Sequence, residues 1–329
     1  MTVESTIQES VQKKQKLSSG AIQQVLAFAS LLALFVFFSF ASSSFLQYSN
    51  IMGILLSTAV IGILALGATF VIITGGIDLS VGTVMTLSSV LTGVIVVNAG
   101  MPIFIGLLGG IATGAACGFL CGFAITKLRI PPFIATLAMM MIAKGLALVI
   151  SGAAPIYFSD HPNFTKISLG SIVPGINIPN AVIIFFIMAI IGGVILSKTV
   201  LGRYNFSIGS NEEATKLSGV NVDFWKIAIY SLAGAFTGIA GVLMASRLNS
   251  AQPALGQGYE LEAIAAVVIG GTSLSGGKGT IVGTVIGALI MSVLTNGLRI
   301  MSIPQEWQTV VVGLVIILAV YADVLRKKD

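Results

Sequence analysis

Long apolar stretches separated by short polar connections run through almost the whole chain. The stretches are continuous rather than alternating with period two. They therefore read as helices and not as the strands of an outer-membrane barrel. A helix needs about 20 apolar residues to cross the hydrocarbon core of a bilayer. Ten segments are read as spans: 21–42, 51–74, 80–98, 102–126, 132–151, 180–197, 225–246, 259–271, 279–299 and 304–323. The eighth is short and starts on the acidic run Glu260-Leu261-Glu262, which leaves a half-helix or a re-entrant segment open. The expected fold is all-α, a polytopic membrane helical bundle of about ten transmembrane helices with a weak internal repeat.

Composition agrees. Apolar residues make up 56% of the 329 positions and charged residues 9%, against about 25% charged in soluble domains. With the N-terminus inside, 13 of the 17 Lys and Arg fall on the inner side and three, Lys166, Arg247 and Arg299, on the outer side. Lys144 lies within a span. Positive residues favour the cytoplasmic side, so both termini are expected there. The polar start, Met1 to Gly20, has no apolar core and reads as a soluble tail, not a cleavable signal peptide. The expected organisation is a cytoplasmic tail over 1–20, a membrane domain over 21–323 with its main inner loop at 198–224, and a cytoplasmic tail over 324–329.

The net charge of +5 is spread over short loops and chain ends, not gathered in one patch, so nucleic acid is not an expected partner. Membrane lipid is. Cys117 and Cys121 lie four apart on one apolar segment and read as small packing residues rather than a disulfide. A single histidine argues against a His-based metal site.

Two similar loops punctuate the bundle. Gly75-Gly76-Ile77-Asp78-Leu79-Ser80-Val81-Gly82 returns as Gly270-Gly271-Thr272-Ser273-Leu274-Ser275-Gly276-Gly277, 195 residues on. Both follow an apolar segment and precede another, and both fall on the same side. A Gly-rich break repeated within a membrane bundle points to passage of a solute. The first copy holds Asp78 where the second has Ser273. A carboxylate in or near the membrane favours a pathway role. The mechanical alternative is that Asp78 and Ser80 cap the third segment. Lys144 is similarly open: it snorkels, pairs with a carboxylate or faces a wet cavity.

Glycines recur every four residues at 110, 114, 118 and 122 and again at 279, 283 and 287, with a weaker instance at 234 and 238. Such stripes line one helix face and predict close helix packing. The longest outer loop, about 152–179, carries Pro155, Pro162, Pro174 and Pro179 with Asp160, His161 and Asn163 near its middle. It is either a docking surface for an external partner or a connector.

Within the inner loop, Ser210 to Gly219 reads as a short helix. Ser210 and Glu213 have capping-box spacing, Glu212 and Glu213 suit the positive end of the dipole, and Gly219 suits a left-handed stop. Ala214 and Leu217 then face one way, making either a docking knob or a helix lying on the membrane. Gly271 to Thr280 narrowly misses a phosphate-binding loop, because its gap is one residue too long and Gly279 follows Lys278. No soluble region is large enough for a nucleotide-binding domain. The spans also lack the series of ionisable groups expected of a proton-coupled pump.

These stretches together resemble the permease subunit of bacterial ABC sugar importers, the ribose-type monosaccharide family. The resemblance runs from about residue 45 onward. It rests on Gly75 to Gly82, Gly202-Arg203-Tyr204 with Gly209 to Gly219, and Ser250-Ala251-Gln252-Pro253 followed by Gly258 to Val268. Gly270 to Gly279 and Asn296-Gly297-Leu298 complete it. The resemblance implies a homodimeric pore, with an ABC ATPase subunit on the cytoplasmic side and an extracytoplasmic sugar-binding protein delivering the cargo. It makes the loop with Glu213-Ala214 and Gly219 the coupling helix, so Ser210, Asn211, Glu212, Glu213, Ala214, Leu217 and Gly219 are candidate ATPase-coupling residues. The loop departs from the longer pattern of other ABC importers. Asp78, Ser80, Asn249, Gln252 and Asn296 are candidates for the translocation pathway or its loops. The chain itself is expected to bind no cofactor, and ATP and Mg are used by the partner ATPase.

The leading expectation is therefore a permease for a monosaccharide, ribose first, in the bacterial cytoplasmic membrane. A permease for another small polar cargo is the alternative within the family. A self-sufficient secondary carrier is disfavoured by the capped inner helix, and an enzyme by the lack of clustered His, Cys or paired intramembrane carboxylates.

Overall fold

The computed structural model describes residues 19–172 and 177–325. Most of the expected N-terminal tail, Pro174 and the basic end from Arg326 lie outside the described residues. The order begins α1 (Ser19–Ala41), α2 (Tyr48–Ile73) and α3 (Val81–Gly93), which runs on as a π-turn over Val94–Asn98. Next come α4 (Ile103–Lys127), α5 (Pro132–Ser151), β1 (Ile156–Tyr157), α6 (Pro162–Leu169) and α7 (Asn180–Lys198). The inner loop folds into α8 (Val200–Ser210) and α9 (Glu212–Leu217). Then follow α10 (Val222–Leu248), β2 (Ser250–Ala251), α11 (Tyr259–Ile269), α12 (Ile281–Ile300) and α13 (Gln305–Leu325).

All ten expected apolar segments are helical. Eight are long and apolar enough to cross a membrane: α1, α2, α3 with its π-turn, α4, α5, α7, α10 and α12. The eighth expected segment is shorter than a span. As α11 it has 11 residues, about 16 Å of helix, half of the ~30 Å hydrocarbon core. That length suits either a half-helix or a re-entrant segment. In the last segment, α13, the described apolar stretch covers Gln305–Tyr321.

The buried core gathers around α2, α3 and α10, whose apolar side chains are largely hidden, while α1 exposes Phe28, Leu32, Phe37 and Phe40. A helix apolar on its outer face has no water-side role, and in a membrane protein that face meets lipid. The glycine stripes explain how α10 reaches the centre. Gly114 of α4 lies against Gly234 and Gly238 of α10, Gly118 against the Tyr230 carbonyl, and Gly122 against Ile227. No side chain keeps the two backbones apart there, so dispersion contacts run along the seam without a hydrophobic drive between helices. The third stripe, Gly283 and Gly287 of α12, takes Gly270 and Ala266 of α11 in the same way. Cys117 and Cys121 are buried free thiols beside the first seam.

The described part of the outer loop is folded. Strand β1 pairs antiparallel with β2, Ile156 opposite Ala251. Phe158 and Phe164 stack at 3.7 Å and are fully buried. The Ser246 hydroxyl donates to the Phe164 carbonyl at 2.6 Å and accepts from the Ser168 amide at 2.9 Å, tying α6 to the outer end of α10. Asp160 and Asn163 stay exposed on this loop.

Candidate functional site: paired glycine turns and a cytoplasmic knob

The two Gly-rich loops owe their likeness to one local device. After α2, the Gly75 amide donates to Ile72 O and the Gly76 amide to Val71 O. After α11, the Gly271 amide donates to Val268 O and the Thr272 amide to Val267 O. This is the Schellman stop, which needs a left-handed residue just past the helix. Gly75 supplies it with φ +79° and Gly271 with φ +97°. The structural match is therefore Gly75 with Gly271, one residue off the register that the sequence motif suggests.

The turns lie at the same end of the bundle and touch. The Gly277 amide donates to Ile73 O at 2.9 Å. Gly276 sits over the Gly75 amide and the Gly209 carbonyl. Gly209 ends α8, and a Cβ there would strike Ile73 O. Gly277 lies against Ser210. The last turn of α8, directly before α9, is thus wedged between both glycine turns. Sequence spacing alone did not bring Gly209 and Gly276 together.

Beyond the first turn the chain runs extended to Ser80, and α3 begins. A Cβ at Gly76 would strike the hydroxyl of buried Tyr230, which lies eight residues into α10, about 12 Å along the helix. The first turn of α3 meets the first turn of α11: Gly82 packs on the Gly256 carbonyl and the Glu260 carboxylate. Glu260 is buried, and both its oxygens accept from the Gly258 amide at 3.1 Å. The starts of α3 and α11 thus lie against each other, and α11 is the short helix of the pair.

Asp78 is buried and its Oδ1 accepts from the Ser80 amide at 2.8 Å and the Ser80 hydroxyl at 2.6 Å. This corrects the capping expectation. Neither side chain reaches an amide within α3; Asp78 closes a local turn and consumes the Ser80 hydroxyl doing so. The other pathway candidates do not join it. Asn249 stops α10 in the left-handed region, φ 52°, and Gln252 donates to Ser250 in the outer loop at 2.9 Å. Asn296 donates to Asn50 at 3.0 Å, joining α12 to the start of α2. These three are spread along the outer side and do not form one pocket with Asp78.

The inner knob is built as a self-contained unit, with one correction. Its N-cap is Asn211, whose Oδ1 accepts from the Ala214 amide at 2.9 Å, while Ser210 belongs to the end of α8. An Asn side chain one residue later fits the N-cap geometry that the Ser210–Glu213 spacing suggested. Gly219 takes the left-handed stop, φ +83°. Glu212 pairs with Lys226 of α10 at 2.7 Å. Thr215 faces inward, while Glu213, Ala214 and Leu217 are exposed, Leu217 to 88%. Asp223, at the start of α10, pairs with Lys127 of α4 at 2.8 Å, steadying the knob's second anchor. Asn211→Ala is expected to loosen α9 alone, by about 1 kcal/mol, read as faster amide exchange over 212–217 with the bundle unchanged.

Residues 50–320 match the family model described as branched-chain amino acid transport system / permease component. The chain belongs to this permease family. The ribose import permease protein RbsC of Bacillus subtilis (strain 168) is 44% identical over 324 residues, covering 98% of this chain and 99% of that protein. RbsC of Escherichia coli (strain K12) is 41% identical, covering 89% and 91%. The D-allose transport system permease protein AlsC of Escherichia coli (strain K12) is 36% identical, covering 89% of each. No solved structure matches. The permease is a membrane component of a transport system, not an enzyme, and a multi-pass protein of the bacterial inner membrane. A permease of this ABC importer type works with an ATPase and a binding protein.

Proposed function

We propose that the permease conducts a monosaccharide, ribose first, through a pore formed with a second copy of itself, and that α9 is where the ATPase takes hold. The observation that carries this reading is the wedge of α8. A knob that exposes Glu213, Ala214 and Leu217 follows a helix whose last turn is pinned between the two glycine turns. One turn precedes α3 and the other follows α11, and the starts of these two helices meet. A push on α9 thus bears on both. Closure of the motor domains on ATP moves the knob, and the two helices exchange inward-open and outward-open states. The chain supplies no covalent step; the nucleotide cycle biases an equilibrium between two arrangements.

The cargo reading rests on relatives named for ribose at 40–44% identity. Relatives named for D-allose and fructose, at 36% and 37%, support a second reading within the sugars. The folded cap over 152–172 is the surface offered to the binding protein. The membrane domain is taken as 21–323, with 1–20 and 324–329 as cytoplasmic tails.

Reconstitution tests the whole scheme. Vesicles holding the permease with its ATPase and binding protein accumulate labelled ribose when ATP is present on the ATPase side. Vesicles holding the permease alone accumulate none. Concentration of ribose by the lone permease would overturn the proposal. Calorimetry of ribose, allose and fructose on the binding protein separates the cargo readings.

A further inference from the structure

Lys144 is the thirteenth residue of the 20-residue helix α5, about 18 Å from its start, well inside a ~30 Å hydrocarbon core. The ion pairs among the described residues, Lys127–Asp223 and Lys226–Glu212, do not include it. Its ammonium donates to Gln257 Oε1 at 3.3 Å, on the loop that leads into α11. Together Lys144, Gln257, Thr83 and Thr86 line a small recess with Pro253, Ala254 and Gly256.

A cation at this depth is costly against lipid and is tolerated where it faces a wet space. A recess facing water here would border a route along α5, the first turns of α3 and the loop 253–257. The chemistry of the lining suits a neutral polyol. Thr83 and Thr86 donate to Ser80 O at 3.0 Å and Gly82 O at 3.2 Å, leaving their hydroxyl oxygens as acceptors. Lys144 keeps two of its three protons for other acceptors, and the Gln257 amide both donates and accepts. The recess also adjoins the meeting point of α3 and α11, since Gly256 packs on Gly82 and Thr86. Movement of either helix reshapes it.

We propose that the recess of Thr83, Thr86, Lys144 and Gln257 is a sugar-contacting step of the translocation route, where the Lys144 ammonium and the Gln257 amide take hydroxyl groups of a monosaccharide. This rests on the importer reading above and adds to it the residues that touch the cargo. The sites are weak by design, because three or four shared hydrogen bonds must be released for passage.

The test uses the full complex in membranes. Lys144→Met lowers maximal ribose uptake about tenfold at equal assembly, the scale of one lost hydrogen bond to a charged group. Lys144→Arg, which keeps a charged donor, restores most of it, and Gln257→Ala shifts the ratio of ribose to allose uptake. Independently, Lys144→Cys reacts with a water-soluble methanethiosulfonate in intact membranes, above the background of buried Cys117 and Cys121. Wild-type uptake by Lys144→Met, or a Lys144→Cys thiol that stays unlabelled, overturns the recess. A wild-type complex that imports no ribose overturns the cargo reading instead, and the labelling result still decides the recess.

Discussion

Replacing Glu213 by Lys is expected to cut ribose uptake by about tenfold or more, the scale of a coupling free energy between two sites, while the protein inserts and accumulates normally. Glu213 is exposed in the first turn of α9 and has no ion pair among the described residues, unlike Glu212, which holds Lys226. The substitution reverses charge on the outward face and sets a cation at the positive end of the helix, which costs the isolated knob about 0.3–1 kcal/mol. That local cost leaves the bundle intact, because α9 buries only Thr215. Glu213→Gln removes the charge without adding a cation and separates loss of contact from repulsion. The measurement is labelled-ribose uptake in cells, normalised to permease in the membrane, beside ATP hydrolysis by the purified complex. Unchanged uptake at equal expression would end the case for α9 as the docking element.

Gly114→Leu is expected to do the opposite: damage the fold itself. A Cβ at Gly114 already collides with the Gly234 carbonyl and crowds the Gly238 backbone. Backbone, unlike a flexible side chain, has no rotamer to swing aside. Prising α4 from α10 therefore belongs at or above the top of the ~1–3 kcal/mol range for overpacking. The purified complex should lose several degrees in Tm, or the chain should fail to accumulate. Gly193→Leu is the control, because a Cβ there meets nothing within 4 Å. Equal melting of the two variants would count against the glycine seam.

Much of the architecture was open to a reading of the residues. Lipid demands helices and marks them by length and apolarity. Stripes of glycine at intervals of four name the faces that come together, and α4 and α10 join along one. The acidic start and short run of 259–271 marked α11 as incomplete. The knob was legible because caps and stops are local: Gly219 lies where a left-handed residue was needed. Its N-cap was misplaced by one residue because Ser210 and Asn211 both carry capping side chains. Only the course of α8, which continues through Ser210, decides between them.

Asp78 shows where local reading ends. Its spacing from α3 suggested a cap, and the folded chain instead ties its Oδ1 to Ser80 in a closed turn. Asn249 and Gln252 lie together at the end of α10, while Asn296 is joined to Asn50 of α2. Conversely Gln257 had no mark of its own and gains a role only because α5 brings Lys144 beside it.

The amino-acid sequence by itself determined that this is a helical membrane protein, which faces of its helices pack, and where its inner knob stops. These follow from burial in lipid and from interactions within a few residues. Tertiary structure alone decided that both glycine turns close on the end of α8, and that α3 and α11 start against each other. Those contacts join residues from 67 positions apart, as with Gly276 and Gly209, to 204, as with Gly277 and Ile73. No local pattern encodes a distance of that kind; it is set by how the whole bundle closes.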